Sequence, residues 1–179
     1  MPLNDSRKFT LIGSGLAGGL LAAYLGRSGY EVNLYERRAD PSAGNFVGGR
    51  SINLALSDRG IHALEQIGLA SEVIKSAIPM RGRMIHGKSG ELDFQPYDRD
   101  STKCINSIGR AALNATTIKA AQQYPNVKVH FNHLCADVDL DEPAARLVRT
   151  DTNESVEARG GIVIGADGAF SAVRRRLQK

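Results

Sequence analysis

At 179 residues the chain is long enough for one well-cored domain, and length alone does not demand two. Hydrophobic residues make up 42% and charged residues 23%, an ordinary globular composition without an apolar run long enough to span a bilayer. The net charge of +4 is mild and its basic residues are scattered apart from Arg174, Arg175 and Arg176, which argues against nucleic acid as a partner.

The N-terminus (MPLNDSRKFT) leads straight into a strand, which argues against a signal peptide or a membrane anchor in these residues. Residues 9–12 (FTLI) are a short apolar run of the kind that forms a buried parallel strand. They lead into Gly13-Ser14-Gly15-Leu16-Ala17-Gly18, a GxGxxG fingerprint. Residues 16–25 are apolar on nearly every face, as expected of a helix packed on a sheet, and residues 31–35 (EVNLY) predict a second strand ending at Glu36. Each glycine has a mechanical reason: Gly13 allows the tight turn, Gly15 lets a phosphate approach the backbone, and Gly18 lets helix and strand pack closely. The helix N-terminus offers free N–H groups and partial positive charge to a pyrophosphate.

A GxGxxG string is weak by itself, but a flanking strand and helix and an acid at the end of the next strand make it a dinucleotide signal. The Glu36 carboxylate accepts hydrogen bonds from a ribose diol and repels a 2′-phosphate, which favours FAD or NAD over NADP. Arg37 and Arg38 run against this, because an arginine there can serve a 2′-phosphate; two solvated loop charges are the other reading.

Residues 50–56 (RSINLAL) predict an extended segment, and Ser57-Asp58 caps a helix with apolar Ile61, Leu64 and Ile67, ended by Gly68. From Met80 to Ile85 the pattern has period two, and a KSGE turn at 88–91 leads into residues 92–97, which predicts a hairpin at about 80–97. Arg110 opens a helix with a stripe at Leu113, Thr117, Ala120, Ala121 and Tyr124, stopped by Pro125-Asn126. Short strands follow at 127–131, 135–140, 145–150 and 155–159. His130 and His133, read as three apart on one strand, are expected to face opposite sides and not to form a metal pair. Residues 162–168 (IVIGADG) predict an apolar strand ending at Asp167-Gly168, with a helix beginning near Ser171. In an open α/β sheet that end would bring Asp167 to the crevice of Gly13 and Glu36, although an Asx-capped turn is the alternative reading. No repeat or linker interrupts the chain, which reads as one domain. Cys104 and Cys135, without CxxC spacing, read as free thiols of a reducing compartment, so the expectation is cytoplasmic. Two glycosylation sequons, at Asn114 and Asn153, are idle without a leader.

GxGxxG, the strand-end glutamate and GADGAFSAVR together resemble the FAD-dependent aromatic hydroxylases (group A flavoprotein monooxygenases). Three stretches, GRSINLALSDRGIHALEQIGL, IPMRGRMIHGKSGEL and YPNVKVHFNH, look specifically like the kynurenine-hydroxylating branch. The resemblance implies an α/β, Rossmann-like FAD-binding domain, a parallel sheet with a β-meander and helices, spanning 1–179 and incomplete. The hairpin would be the start of a substrate domain. It implies that Ala17, Glu36, Arg38, Ala55, Arg110 and Asp167 contact FAD, that Arg83 holds the substrate carboxylate and that Tyr97 helps bind the amino acid. A guanidinium fork suits a carboxylate. Cys135 stands where the family places an aliphatic residue beside the adenine.

It further implies bound FAD, NADPH and O2 as cosubstrates, and kynurenine as the ring that is hydroxylated, with no side chain as catalytic acid or nucleophile and no metal. A bare FAD- or ADP-binding module without catalysis, another aromatic-ring hydroxylase and an NAD-dependent dehydrogenase are the alternatives; the Asp-Gly motif and RSINLAL weigh against the dehydrogenase. A further Gly-Asp segment and most of the substrate-binding sheet of that family are not within these residues. The chain is therefore expected to be the N-terminal portion of a longer enzyme, inactive alone, with an exposed face prone to self-association.

Overall fold

Leu11 and Leu34 have no solvent-accessible surface, and they lie side by side because β1 (Lys8–Ile12) and β2 (Glu31–Tyr35) pair in parallel with Leu11 opposite Leu34. Full burial of each such leucine contributes roughly 1.5–3 kcal/mol, which is what holds so short a strand in the interior. The structure, a computed structural model, describes residues 7–41 and 52–179. The residues of RSINLAL before Ile52, and those before Arg7, lie outside the described residues.

The chain packs as two compact units, one comprising Met1–Gly48 and Asn114–Lys179 and the other Gly49–Leu113, both within the stretch read as one domain. In the first unit α1 (Leu16–Arg27) connects β1 to β2, and a four-stranded parallel sheet forms in the order β12-β1-β2-β8, with β8 (Val127–His130) and β12 (Ile162–Gly165) at its edges. Helix α4 (Arg110–Gln122) precedes β8, and its Thr117, Ile118 and Ala121 are buried. The expected meander is present: β9 (His133–Val138), β10 (Ala144–Arg149) and β11 (Ser155–Arg159) form an antiparallel sheet in the order β11-β10-β9, with an irregularity between Arg146 and Leu147. Its inward residues Cys135, Val138, Ala145, Leu147 and Ala158 pack with Ile12 of β1 and with Ala172 and Val173 of α5 (Ala172–Leu177).

The second unit has an antiparallel sheet in the order β3-β7-β4, formed by β3 (Asn53–Leu56), β4 (Ile78–Met80) and β7 (Ile105–Gly109). Helix α2 (Asp58–Glu65) ends in two reverse bonds: Leu69 N–H donates to Leu64 O at 2.9 Å and Gly68 N–H to Glu65 O at 3.0 Å. Gly68 sits at φ +74, so this is a Schellman stop that a glycine accommodates without strain. A short helix that the sequence pattern did not reveal, α3 (Ala70–Ser76), follows. The hairpin pairs β5 (Gly82–His86) with β6 (Leu92–Pro96), Met84 opposite Phe94. The period-two run from Met80 to Ile85 is not one strand: Met80 ends β4 in the three-stranded sheet, Arg81 breaks the run, and Gly82 begins the hairpin. No helix among the described residues is long and apolar enough to cross a membrane.

Candidate functional site

The parallel register sets Ile12 opposite both Tyr35 and Gly165. The chain therefore leaves β1, β2 and β12 at one level, into Gly13, Glu36 and Ala166-Asp167, at the carboxyl edge where open α/β sheets gather ligands. Backbone bonds tie these exits together: Gly13 N–H donates to Tyr35 O at 2.8 Å, Ala166 N–H to Ile12 O at 2.7 Å and Glu36 N–H to His130 O at 2.9 Å.

The glycines behave as their spacing demands. Gly13 has φ +97, and a Cβ there would come within 2.7 Å of Ala166 O and 2.8 Å of Asp167 Cα. A Cβ on Gly18 would collide with the Gly13 carbonyl oxygen. Gly15 is the opposite case, with nothing within 4 Å of the place a Cβ would take. The first amide to bond back along α1 is Gly19 N–H, to Gly15 O at 2.8 Å. The amides of Leu16, Ala17 and Gly18 therefore have no partner within the helix, and Ala17 is exposed at this end.

Glu36 is only 8% exposed. Its Oε2 accepts the Ser14 amide at 2.9 Å and the Ser14 hydroxyl at 3.1 Å, and its Oε1 accepts the Arg38 amide at 3.0 Å. Arg37 and Arg38 are exposed, while their carbonyls accept the Thr150 hydroxyl at 3.3 Å and the Asn132 amide at 3.0 Å. Asp167 Oδ2 accepts at 2.7 Å the amide of Ala172, the first residue of α5, whose N-cap is Ser171, whereas Asp167 Oδ1 is buried without a partner among the described residues. Gly168, at φ +78, turns the chain between them.

One expectation is overturned beside this site. His130 and His133 do not face opposite sides of one strand: β8 ends at His130, Asn132 adopts φ +59, and β9 begins at His133. The turn brings both rings onto Tyr35, His130 stacked at 4.6 Å and His133 edge-on at 5.6 Å. Burial, and then the charges of His133 and Lys128, push the His130 pKa below the ordinary value, and burial raises that of Tyr35. Among the described residues no three His, Cys, Asp or Glu side chains cluster as metal ligands.

In the second unit, Arg83 on β5 donates from Nε and Nη2 to Gln95 Oε1 at 3.1 and 2.8 Å and is exposed. Tyr97, 45% exposed, follows β6, and strand alternation continues the Gln95 face into it. Ala55 is exposed on β3 opposite Ser107. Arg110, the exposed first residue of α4, has its amide on Ile52 O at 3.0 Å.

Residues 8–179 match the FAD binding domain family. The chain belongs to that family. Kynurenine 3-monooxygenase of Anopheles gambiae is 46% identical over 169 residues, which cover 94% of this chain and 35% of that protein. The protein of the same name from Myxococcus xanthus is 45% identical over 179 residues, 99% of this chain and 39% of its own length. The chain thus spans between a third and two-fifths of the length of these relatives. Among solved structures, the flavin-dependent monooxygenase PieE, determined in complex with FAD and substrate, superposes with a TM-score of 0.80 at 21% identity, covering 96% of this chain and 32% of that one. The FAD-dependent halogenase CndH superposes with a TM-score of 0.74 at 21% identity, covering 95% and 39%. These two share the fold.

The residues of this FAD-binding domain fit the group its family is named for. A buried Asp167 Oδ1 without a partner among the described residues, an open approach over Gly15 and the amides at the start of α1 that have no partner within the helix are the donors and acceptors that a nucleotide pyrophosphate and ribityl chain require. Cys135 is compatible as well. Burial, then the Asp167 and Asp137 carboxylates, push its thiol up to about 11, so it is neutral and packs as a small apolar side chain in the core. Ser14, which sequence reasoning passed over, is the residue the structure adds to this site.

Proposed function

We propose that the chain is the FAD-binding portion of a flavin-dependent monooxygenase that hydroxylates kynurenine at position 3 with NADPH and O2. The observation that carries the reading is the parallel register that sets Gly13, Glu36 and Asp167 on three neighbouring strand ends, joined to identities of 45–46% with proteins named for that reaction. In this reading Gly13, Gly15, Ala17 and Gly18 form the pyrophosphate cradle, and Glu36 accepts a hydroxyl of the adenosine ribose. Asp167 and Gly168 meet the cofactor at the end of β12, and Arg38, Ala55 and Arg110 complete its contacts. Arg37 stays at the rim.

When bound, the flavin supplies the redox chemistry. The protein's own part is to bind, orient and keep water out. Arg83 takes the substrate carboxylate through its guanidinium fork, releasing Gln95, and Tyr97 bounds the amino-acid end on the same face. No side chain is required as a catalytic acid or nucleophile. Self-association through an exposed face and residence in the cytoplasm belong to the same proposal. The cytoplasmic part rests on two cysteines without CxxC spacing.

The test is a titration of FAD with the chain, read as quenching of flavin fluorescence, with NAD as control. Saturable quenching by FAD supports the reading, and NAD binding in its place overturns it. Kynurenine-dependent NADPH oxidation is expected of the longer protein and not of these 179 residues. A longer protein that oxidises NADPH equally with and without kynurenine would reject this substrate.

A further inference from the structure

A charged carboxylate has about four lone-pair positions for hydrogen-bond donors. Glu36 has three of them occupied by its own fold: both on Oε2, by the amide and hydroxyl of Ser14, and one on Oε1, by the amide of Arg38. The remaining acceptor position is the second lone pair of Oε1. Ser14 is 2% exposed, lies 22 residues from Glu36 in sequence, and meets it only because β1 and β2 are in parallel register. Its amide faces Glu36, so it is not among the amides offered to a phosphate at the start of α1.

We infer that Ser14 is a positioning residue: its hydroxyl locks the rotation of the Glu36 carboxylate, leaving Oε1 as the oxygen that reads the adenosine 2′-hydroxyl. This deepens the FAD-binding reading and rests on it. The terminal torsion of a glutamate is broad and roughly two-fold, so a carboxylate held by amides alone can swing within its well. The Ser14 hydroxyl adds a second donor to Oε2 and narrows that swing. It also saturates Oε2, so a ribose hydroxyl finds its acceptor on Oε1 alone. The consequence is selectivity for a ribose over a 2′-deoxyribose, because the site's buried acceptor is left unpaired by the deoxy ligand.

The experiment measures binding of FAD, ADP and 2′-deoxy-ADP to the chain by calorimetry, for the wild type, Ser14→Ala, Glu36→Gln and the double variant. Ser14→Ala is close to isosteric and is checked by its thermal melt. The expected result is about tenfold weaker binding of FAD and ADP by Ser14→Ala, the scale of one lost charge-assisted hydrogen bond. Binding of 2′-deoxy-ADP should change by less than about twofold, because the contact Ser14 protects is already absent. In the Glu36→Gln background, Ser14→Ala should add nothing further.

Equal losses for ADP and 2′-deoxy-ADP would make Ser14 a loop-packing residue and overturn the inference, leaving FAD binding intact. Unchanged ADP binding by Glu36→Gln would overturn it in the same way. If the wild-type chain binds neither FAD nor ADP, the FAD-binding reading fails and the inference falls with it.

Discussion

The candidate cradle residues of the first unit are held by backbone, whereas the candidate substrate residues of the second, Arg83 and Tyr97, depend on side chains. Glu36 is nearly buried and takes two amides and a hydroxyl, and Gly13 and Gly18 are dictated by collisions with main-chain atoms. Arg83 instead belongs to a two-stranded ribbon, with Tyr97 just after it, that is exposed on both faces: Met84 is 49% and Phe94 53% exposed on one, and Ile85 37% on the other. A lone two-stranded hairpin is marginal in water, and a single contact to Gln95 directs Arg83. On the proposed function, the difference teaches that a nucleotide cradle can be built into a fold's connections, whereas recognition of a variable ligand is left to adjustable side chains.

That contrast can be broken by substitution, and Gly18→Ala is the strongest probe. Its methyl has no space against the Gly13 carbonyl, a backbone atom that cannot step aside without moving β1. Overpacking of this kind costs about 1–3 kcal/mol, so the urea midpoint should fall and FAD quenching should vanish. Gly15→Ala, with nothing nearby, should leave the midpoint near wild type while still weakening FAD binding. Equal midpoints for the two would mean that the cradle is not set by backbone packing.

Asp167 comes next. Asp167→Ala removes the acceptor of the Ala172 amide, and loss of such a bond at a helix start costs about 1 kcal/mol of stability. Asp167→Asn keeps a carbonyl oxygen for that amide and should recover most of the midpoint. It should still bind FAD less well, since the orphaned Oδ1 loses its charge. Denaturation and FAD titration on the same samples separate the two roles.

These positions were readable because glycine and aspartate carry backbone demands in their own chemistry. The turn at Gly13, the stop at Gly68 and the Asp-Gly turn could all be placed without knowing any neighbour. What escaped the reading depends on partners distant in sequence. Strand β7 (INSIG) shows no clear alternation, and its Ile108 is buried between β3 and β4, which arrive from elsewhere in the chain. Helix α3 has seven residues, too few for a helical period to stand out. The bond between Ser14 and Glu36 exists only through strand register, and the shared packing of His130 and His133 only through the left-handed turn at Asn132. Arg83 and Tyr97 had no signal of their own beyond the family resemblance.

The histidine pair supplies a smaller effect, conditional on pH. His130 faces the Tyr35 ring, the Asn33 amide oxygen at 3.1 Å, His133 and Lys128, and burial followed by those two charges holds its pKa below the ordinary 6.5. As pH falls the unfolded chain takes up the proton first, so this stability is full above about pH 6.5 and is lost as the pH falls through the depressed folded value. Urea midpoints should therefore drop between about pH 7.5 and about pH 5.5. His130→Gln should flatten that slope, and an unchanged slope would place the titration elsewhere.

Arg83→Ala should have the least effect on the folded chain. The guanidinium is exposed and, among the described residues, the side chain it bonds is Gln95 on the neighbouring strand, so the urea midpoint should stay within about 0.5 kcal/mol of wild type. On the proposed function, the same change in the longer protein should raise the KM for kynurenine by about 30- to 150-fold, the loss of a charge-assisted pair worth roughly 2–3 kcal/mol, with kcat far less affected. Arg83→Lys should recover only part, because an ammonium cannot reproduce the planar fork. A drop in stability as large as that of Asp167→Ala would show the hairpin arginine to be structural, and the contrast between the two units would fail. A KM that ignores Arg83 would instead keep the contrast and move substrate recognition off this ribbon.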